Sequence, residues 1–185
     1  GCIEGGARRI TVQDIHDQCN NVIWGDLDER AECIIGNPPR FQGIEAYDGL
    51  ILLGYHAKAG TRSAILAHTS SHEWKNCWIN GQTVGEVALD GGRAGEHGVP
   101  VIMVSGDDKA CREAAQLCPG VACAIVKRGI SRHCAELEPM PVAQDLIRQK
   151  ACEAMGSLNS IAPLKLGSPA EIEIEYCRTE YADAI

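Results

Sequence analysis

Gly49-Leu50-Ile51-Leu52-Leu53-Gly54-Tyr55-His56-Ala57-Lys58-Ala59-Gly60-Thr61 is the stretch on which the reading of the fold turns. Its first half is a short apolar run closed by glycines, the pattern of a strand buried on both faces. Its second half is small, polar and carries an imidazole. Ala67-His68-Thr69-Ser70-Ser71-His72 follows, then an Asn80-Gly81 turn and Gly85-Glu86. In open α/β sheets, ligands and metals gather beyond the carboxyl ends of the strands. Three imidazoles and a carboxylate just past an apolar strand therefore mark a candidate site.

Outward from this stretch the same grammar recurs. Pro100-Val101-Ile102-Met103-Val104 reads as a second buried strand, left through Ser105-Gly106-Asp107-Asp108 and a helix ending near Leu117. Residues 121–126 read as a third strand, with Lys127-Arg128-Gly129-Ile130-Ser131-Arg132 as its exit loop. Residues 9–13 form a short strand ending in Asp14-Ile15-His16-Asp17, and Cys33-Ile34-Ile35 another. Residues 74–84 alternate about Asn80-Gly81, which suits a type I′ hairpin turn. Residues 86–98 and 142–155 show helical spacing, and the adjacent Gly91-Gly92 either weakens the first helix or lets another segment approach it. Residues 169–177 alternate Ile172, Ile174 and Tyr176 against Glu171, Glu173 and Glu175, a half-exposed edge strand. Strands separated by helices predict an α/β fold: a three-layer sandwich with a mostly parallel central sheet plus a β-hairpin.

Composition narrows the function classes. The 185 residues suffice for one domain, and 45% of them are apolar. The net charge is -8, without a dense basic run, so nucleic acid is excluded as the main partner. No 18-residue apolar run exists to span a membrane, and no charged-then-apolar leader opens the sequence. The 10 cysteines form no C-x-x-C pair and no zinc-finger spacing, and several lie in apolar strands. Reduced cysteines in a cytoplasmic protein are the expectation.

A hydrolytic metal site draws imidazoles and carboxylates from several strand ends. His16, His56 and Glu86 fit that description, although any one of them alone reads equally well as a satisfied loop side chain. His68, flanked by Thr69, Ser70 and Ser71, lacks a G-x-S-x-G elbow. A proton donor or oxyanion stabiliser suits it better than the base of a serine triad. His72 and His97 read as surface residues. Asp107-Asp108 reads first as a helix N-cap and second as a site-shaping pair. Residues 127–132 could receive a substrate carboxylate or could be a solvated loop.

Together these pieces resemble the zinc-dependent D-aminopeptidases, the DppA-like peptidases. The resemblance rests on Val12-Gln13-Asp14-Ile15-His16, Gly54-Tyr55-His56-Ala57-Lys58-Ala59-Gly60-Thr61, His68-Thr69, Ile79-Asn80-Gly81, Val84-Gly85-Glu86, Gly106-Asp107-Asp108 and Lys127-Arg128-Gly129-Ile130-Ser131. It implies two zinc ions, with His16 matching a ligand of one, His56 and Glu86 matching ligands of the other, and His68 matching a catalytic histidine. It implies removal of N-terminal D-amino acids from short peptides and assembly as a ring-like homo-oligomer. The family opens with a strand ending in D-x-E-G, whose two acids bind the metals. Gly1 aligns inside the helix that follows that strand. Residues 1–185 are thus expected to be a single D-aminopeptidase-like α/β domain, truncated at both ends. The family's D-S-H-G and its Asn after the glutamate stand here as Asp14-Ile15-His16-Asp17 and Asp90. A catalytically weak or inactive, self-assembling structural relative is the alternative.

Overall fold

The computed structural model describes residues 1–184. At its centre runs strand β6 (Val101–Asp107), all of whose residues are buried. Strand β3 (Leu50–Tyr55) lies parallel to it on one side and β7 (Ala122–Ser131) parallel on the other. β8 (Cys134–Leu137) folds back antiparallel on β7 and completes a four-stranded, mostly parallel sheet. Residues 127–131 are therefore the outer half of β7 and not an exit loop. Lys127, Arg128 and Gly129 pair with Leu137, Glu136 and Ala135. This extension stands largely in solvent, so no apolar alternation marked it in the sequence.

Helices cover both faces of the sheet. On one side α1 (Glu86–Glu96) and α2 (Asp108–Leu117) enclose Leu52, Tyr55, Val87, Val101 and Val104. On the other, α3 (Met140–Gly156) packs Ala151 and Ala154 on Ile102, Met103 and Ala124. The consecutive Ile102 and Met103 join the same cluster because the register skips Ile102: Leu50 pairs with Val101 and Ile51 with Met103. Such a bulge breaks the two-residue alternation locally. The glycines of α1 admit the segment that crosses it. A Cβ on Gly95 would overlap the Leu164 backbone, and one on Gly92 the Leu166 side chain.

Two smaller sheets flank this core. β1 (Ile10–Gln13) and β2 (Ala31–Ile34) pair in parallel, tied at one end by Arg9 and Glu32. β4 (Trp74–Ile79) and β5 (Gln82–Thr83) form the expected hairpin, with Asn80 and Gly81 at φ +51° and +75° as a type I′ turn requires. β9 (Ile172–Tyr176) joins the other side of β4 as an edge strand, followed by a last short helix, α4 (Thr179–Ala182). All ten cysteines are unpaired. Among the described residues no helix is long and apolar enough to cross a membrane.

Candidate metal centre

His56 is the first residue beyond β3. Near that end the strand bulges: Leu52 pairs with Val104 but Tyr55 with Gly106, so one extra residue is inserted, and Gly54 takes φ +78° to allow it. The bulge sends the Tyr55 ring into the core and carries the chain out through His56. Glu86 opens α1 behind Gly85, where the unpaired amides of a helix start favour a carboxylate.

His68 comes from the long loop between β3 and β4. That loop is held by its own small core of Ala57, Ala64 and Ala67. The fully buried Thr69 accepts the Ala59 N–H on its Oγ1 at 3.1 Å. Asp107, besides capping α2 by accepting the Ala110 N–H, accepts the Ile65 N–H at 3.2 Å. Asp107 thus caps α2, as read from the sequence, and also ties down the loop that carries His68. Leu66 and Ser70, on either side of His68, have φ of +50° and +56°. Left-handed backbone at a non-glycine residue persists only where surrounding contacts over-determine it.

These three elements bring His56, His68 and Glu86 together, with one ligand atom of each within 4.8 Å of the others. Nε2 of His56 lies 3.4 Å and Nε2 of His68 3.5 Å from Glu86 Oε1. The two imidazoles stack at 3.8 Å between centroids. Each Nδ1 faces a backbone carbonyl, Leu66 O at 2.7 Å for His68 and Ala57 O at 3.2 Å for His56. A carbonyl only accepts, so each Nδ1 carries a proton, and Nε2 is the ring atom left facing the glutamate. This is the tautomer of a metal ligand oriented by its surroundings, and two imidazoles with one carboxylate are a donor set that suits zinc. The residues present thus fit a cation at this point.

Glu86 and His56 stabilise each other's charged forms. Burial alone would raise the Glu86 acid, but His56 and the Ser70 N–H, which donates to Oε1 at 2.9 Å, hold it down to about 2. Burial opposes a charge on His56, yet Glu86 outweighs it and raises that imidazole above its ordinary value. His68 is lowered, by burial first and by its neighbour His56.

His16 sits elsewhere, exposed in the exit of β1 and outside the trio. Its turn is organised by the buried Asp14, which accepts the N–H groups of His16, Asn21 and Val22. His97 is exposed, as the sequence suggested. His72 is exposed too, but its ring lies 4.5 Å from that of His68.

Sequence reasoning missed the network behind Glu86. Asp90, with 1% of its surface exposed, accepts a fork from Arg40, Nε at 2.8 Å and Nη2 at 2.5 Å. It also accepts the Tyr55 hydroxyl at 2.6 Å and Arg93 Nη1 at 3.3 Å. Burial pushes the Tyr55 phenol up, and Asp90 adds to it. Burial opposes the Arg40 charge, but Asp90 more than restores it. Arg40 Nη2 also reaches to 4.0 Å from Glu86 Oε2. The four-residue spacing of Glu86 and Asp90 on one helix signals that the two share a face; nothing in the sequence signals Arg40.

A parallel sheet with a histidine–carboxylate cluster beyond its strand ends is the architecture of a metal-binding α/β domain, and comparison with known proteins is more specific. The chain belongs to the D-aminopeptidase family, whose model matches residues 1–185. It is 32% identical over 182 residues to a D-aminopeptidase of Bacillus subtilis (strain 168), covering 96% of this chain and 66% of that protein. It superposes with TM-score 0.92 and 30% identity on a structure described as the Zn-dependent D-aminopeptidase DppA from Bacillus subtilis, a self-compartmentalizing protease. That match covers all of this chain and 69% of the other. The chain therefore spans just under two thirds of the length of the curated relative.

Proposed function

We propose that this chain is the core of a metal-dependent hydrolase that releases N-terminal D-amino acids from short peptides through a dinuclear zinc site. The observation that carries the reading is the convergence of His56 Nε2, His68 Nε2 and Glu86 Oε1 within 4.8 Å in a chain of this family. His56 and Glu86 would hold one ion, and His16 would serve the other. Bound zinc supplies Lewis-acid polarisation of a carbonyl and an acidified water. Within this division of labour His68 is the catalytic residue. Its Nδ1 is fixed by Leu66 O, so its Nε2 is the atom that exchanges a proton with the reacting groups. Glu86, fixed by the Ser70 N–H, keeps the two imidazoles aligned. A ring-like homo-oligomer that encloses the sites and admits only small peptides agrees with the self-compartmentalizing relative.

Elemental analysis of protein purified without chelator tests this together with release of D-alanine from D-alanyl peptides. About two zinc ions per chain and D-specific turnover are expected, with His56→Ala losing both metal and turnover. No zinc after reconstitution and no turnover would overturn the reading and leave a self-assembling structural relative.

A further inference from the structure

The polar stretch around the end of β7 acquires a role once its last arginine is placed. Arg132 stands in the turn between β7 and β8, and this turn is clamped to the loop that carries His68. The Arg132 carbonyl accepts the Leu66 N–H at 2.9 Å. Its Nη1 donates to Ala67 O at 2.5 Å, and its Nη2 lies 3.3 Å from His72 Nδ1. The contact is close all along: a Cβ on Gly129 would overlap the Ser63 carbonyl, and Gly129 is fixed by Asp108 and Lys109. Both backbone anchors of Arg132 are thus the residues immediately before the catalytic histidine.

The guanidinium lines a cleft of about 250 Å³ together with His68. Ala59, Gly60 and Ala67 leave room there only for small groups, and Trp74 supplies an apolar wall. Two cations, Arg132 and Lys75, line the cleft, and no Asp or Glu does. Lys75 has Glu175 as partner at 2.6 Å, whereas Arg132 pairs with no carboxylate among the described residues. The cleft beyond the metal trio on the other side is different, since Glu86 and Asp90 line it and balance Arg40 and Arg93. A guanidinium with unused N–H groups, held rigid and unneutralised beside a catalytic histidine, is a receptor for a carboxylate.

We infer that Arg132 binds the free C-terminal carboxylate of the substrate, so that the cleft selects di- and tripeptide acids with small residues. This rests on the peptidase reading above and deepens it. Because Arg132 is anchored on Leu66 and Ala67, the distance from the carboxylate receptor to His68 is set by the loop itself.

The test compares D-alanyl-alanine with its C-terminal amide, in turnover and in calorimetric binding to the metal-loaded protein. A charge-assisted pair contributes about 1.5–3 kcal/mol, so the acid is expected to bind about 10- to 100-fold more tightly than the amide. Arg132→Gln should raise KM for the acid by that factor more than for the amide, so that the preference for the acid is lost. Arg132→Lys should recover part of the preference for the acid. Equal affinity for acid and amide in the unaltered protein overturns the inference without any variant. So does an Arg132→Gln loss that is the same for both peptides. Turnover without acid preference would sink the carboxylate receptor and keep the peptidase; acid-selective binding without turnover would do the reverse.

Discussion

Glu86 and Asp90 lie one helical turn apart on the same face of α1, and the fold treats them in opposite ways. Asp90 is closed: Arg40, Arg93 and Tyr55 fill its lone pairs, and almost none of it meets solvent. Glu86 receives one backbone N–H, faces the Nε2 atoms of two imidazoles, and has Arg40 no nearer than 4.0 Å. A saturated carboxylate braces structure; one grouped with two imidazole nitrogens completes a donor set that can take a cation. Arg40 touches both acids, so its charge also relieves their mutual repulsion.

The contrast breaks most sharply by substitution. Glu86→Gln should weaken zinc binding by at least about 100-fold, read by competition with a chelator, while urea unfolding of the metal-free protein shifts by no more than about 1 kcal/mol. Asp90→Ala should do the opposite. It strands Arg40 and the Tyr55 hydroxyl, and should cost about 2 kcal/mol in the same unfolding experiment. That is less than for a fully buried pair, since the Arg40 side chain is 36% exposed. A larger effect of Asp90→Ala on zinc affinity than on stability would dissolve the division between the two acids. Tyr55→Phe removes one of the donors to Asp90 and should cost about 1 kcal/mol, with zinc affinity unchanged in the chelator assay.

A third carboxylate sharpens the same comparison. Glu113 Oε2 accepts the Lys58 N–H at 2.9 Å, but its buried Oε1 has no partner among the described residues. Burial raises this acid above its ordinary value despite the Lys58 bond. A raised carboxylate binds its proton more tightly folded than unfolded. Its favourable contribution is therefore full below the ordinary glutamate range and is lost as pH rises through the folded value. Glu113→Gln should match the parent in melting temperature at acid pH and exceed it by a few degrees at neutral pH. A constant difference across the pH range would show that the carboxylate is not what destabilises this position.

How much of this was legible in the sequence depended on whether neighbours along the chain set the signal. β6 was readable as an apolar run because it is buried along its whole length, β3 because its run is apolar even though Leu53 at this sheet edge is 60% exposed, and the Asn80-Gly81 turn because its positive φ values demand those residues. The outer half of β7 and all of β8 were not readable. Arg128 and Glu136 pair across the ladder in solvent, and no apolar period betrays such strands. At the site, His56, His68 and Glu86 could each be marked as a strand exit, a loop histidine and a helix start. Their meeting could not be derived from spacing, which separates His56 from Glu86 by an entire loop and hairpin.

The sequence by itself determined the class of the fold, the positions of the turns and the family, since periodicity, turn chemistry and the Gly54–Thr61 string are properties of adjacent residues. Tertiary structure alone decided which side chains share a site. It placed Arg40 against an aspartate fifty positions away and set Arg132 beside a histidine from another element. It also brought His56, His68 and Glu86 from three elements to within 4.8 Å of one another. The reason is physical: hydrogen bonds within strands and helices are specified locally. The approach of one loop to another depends on strand order, bulges and the small residues that let backbones come close, and these act through space.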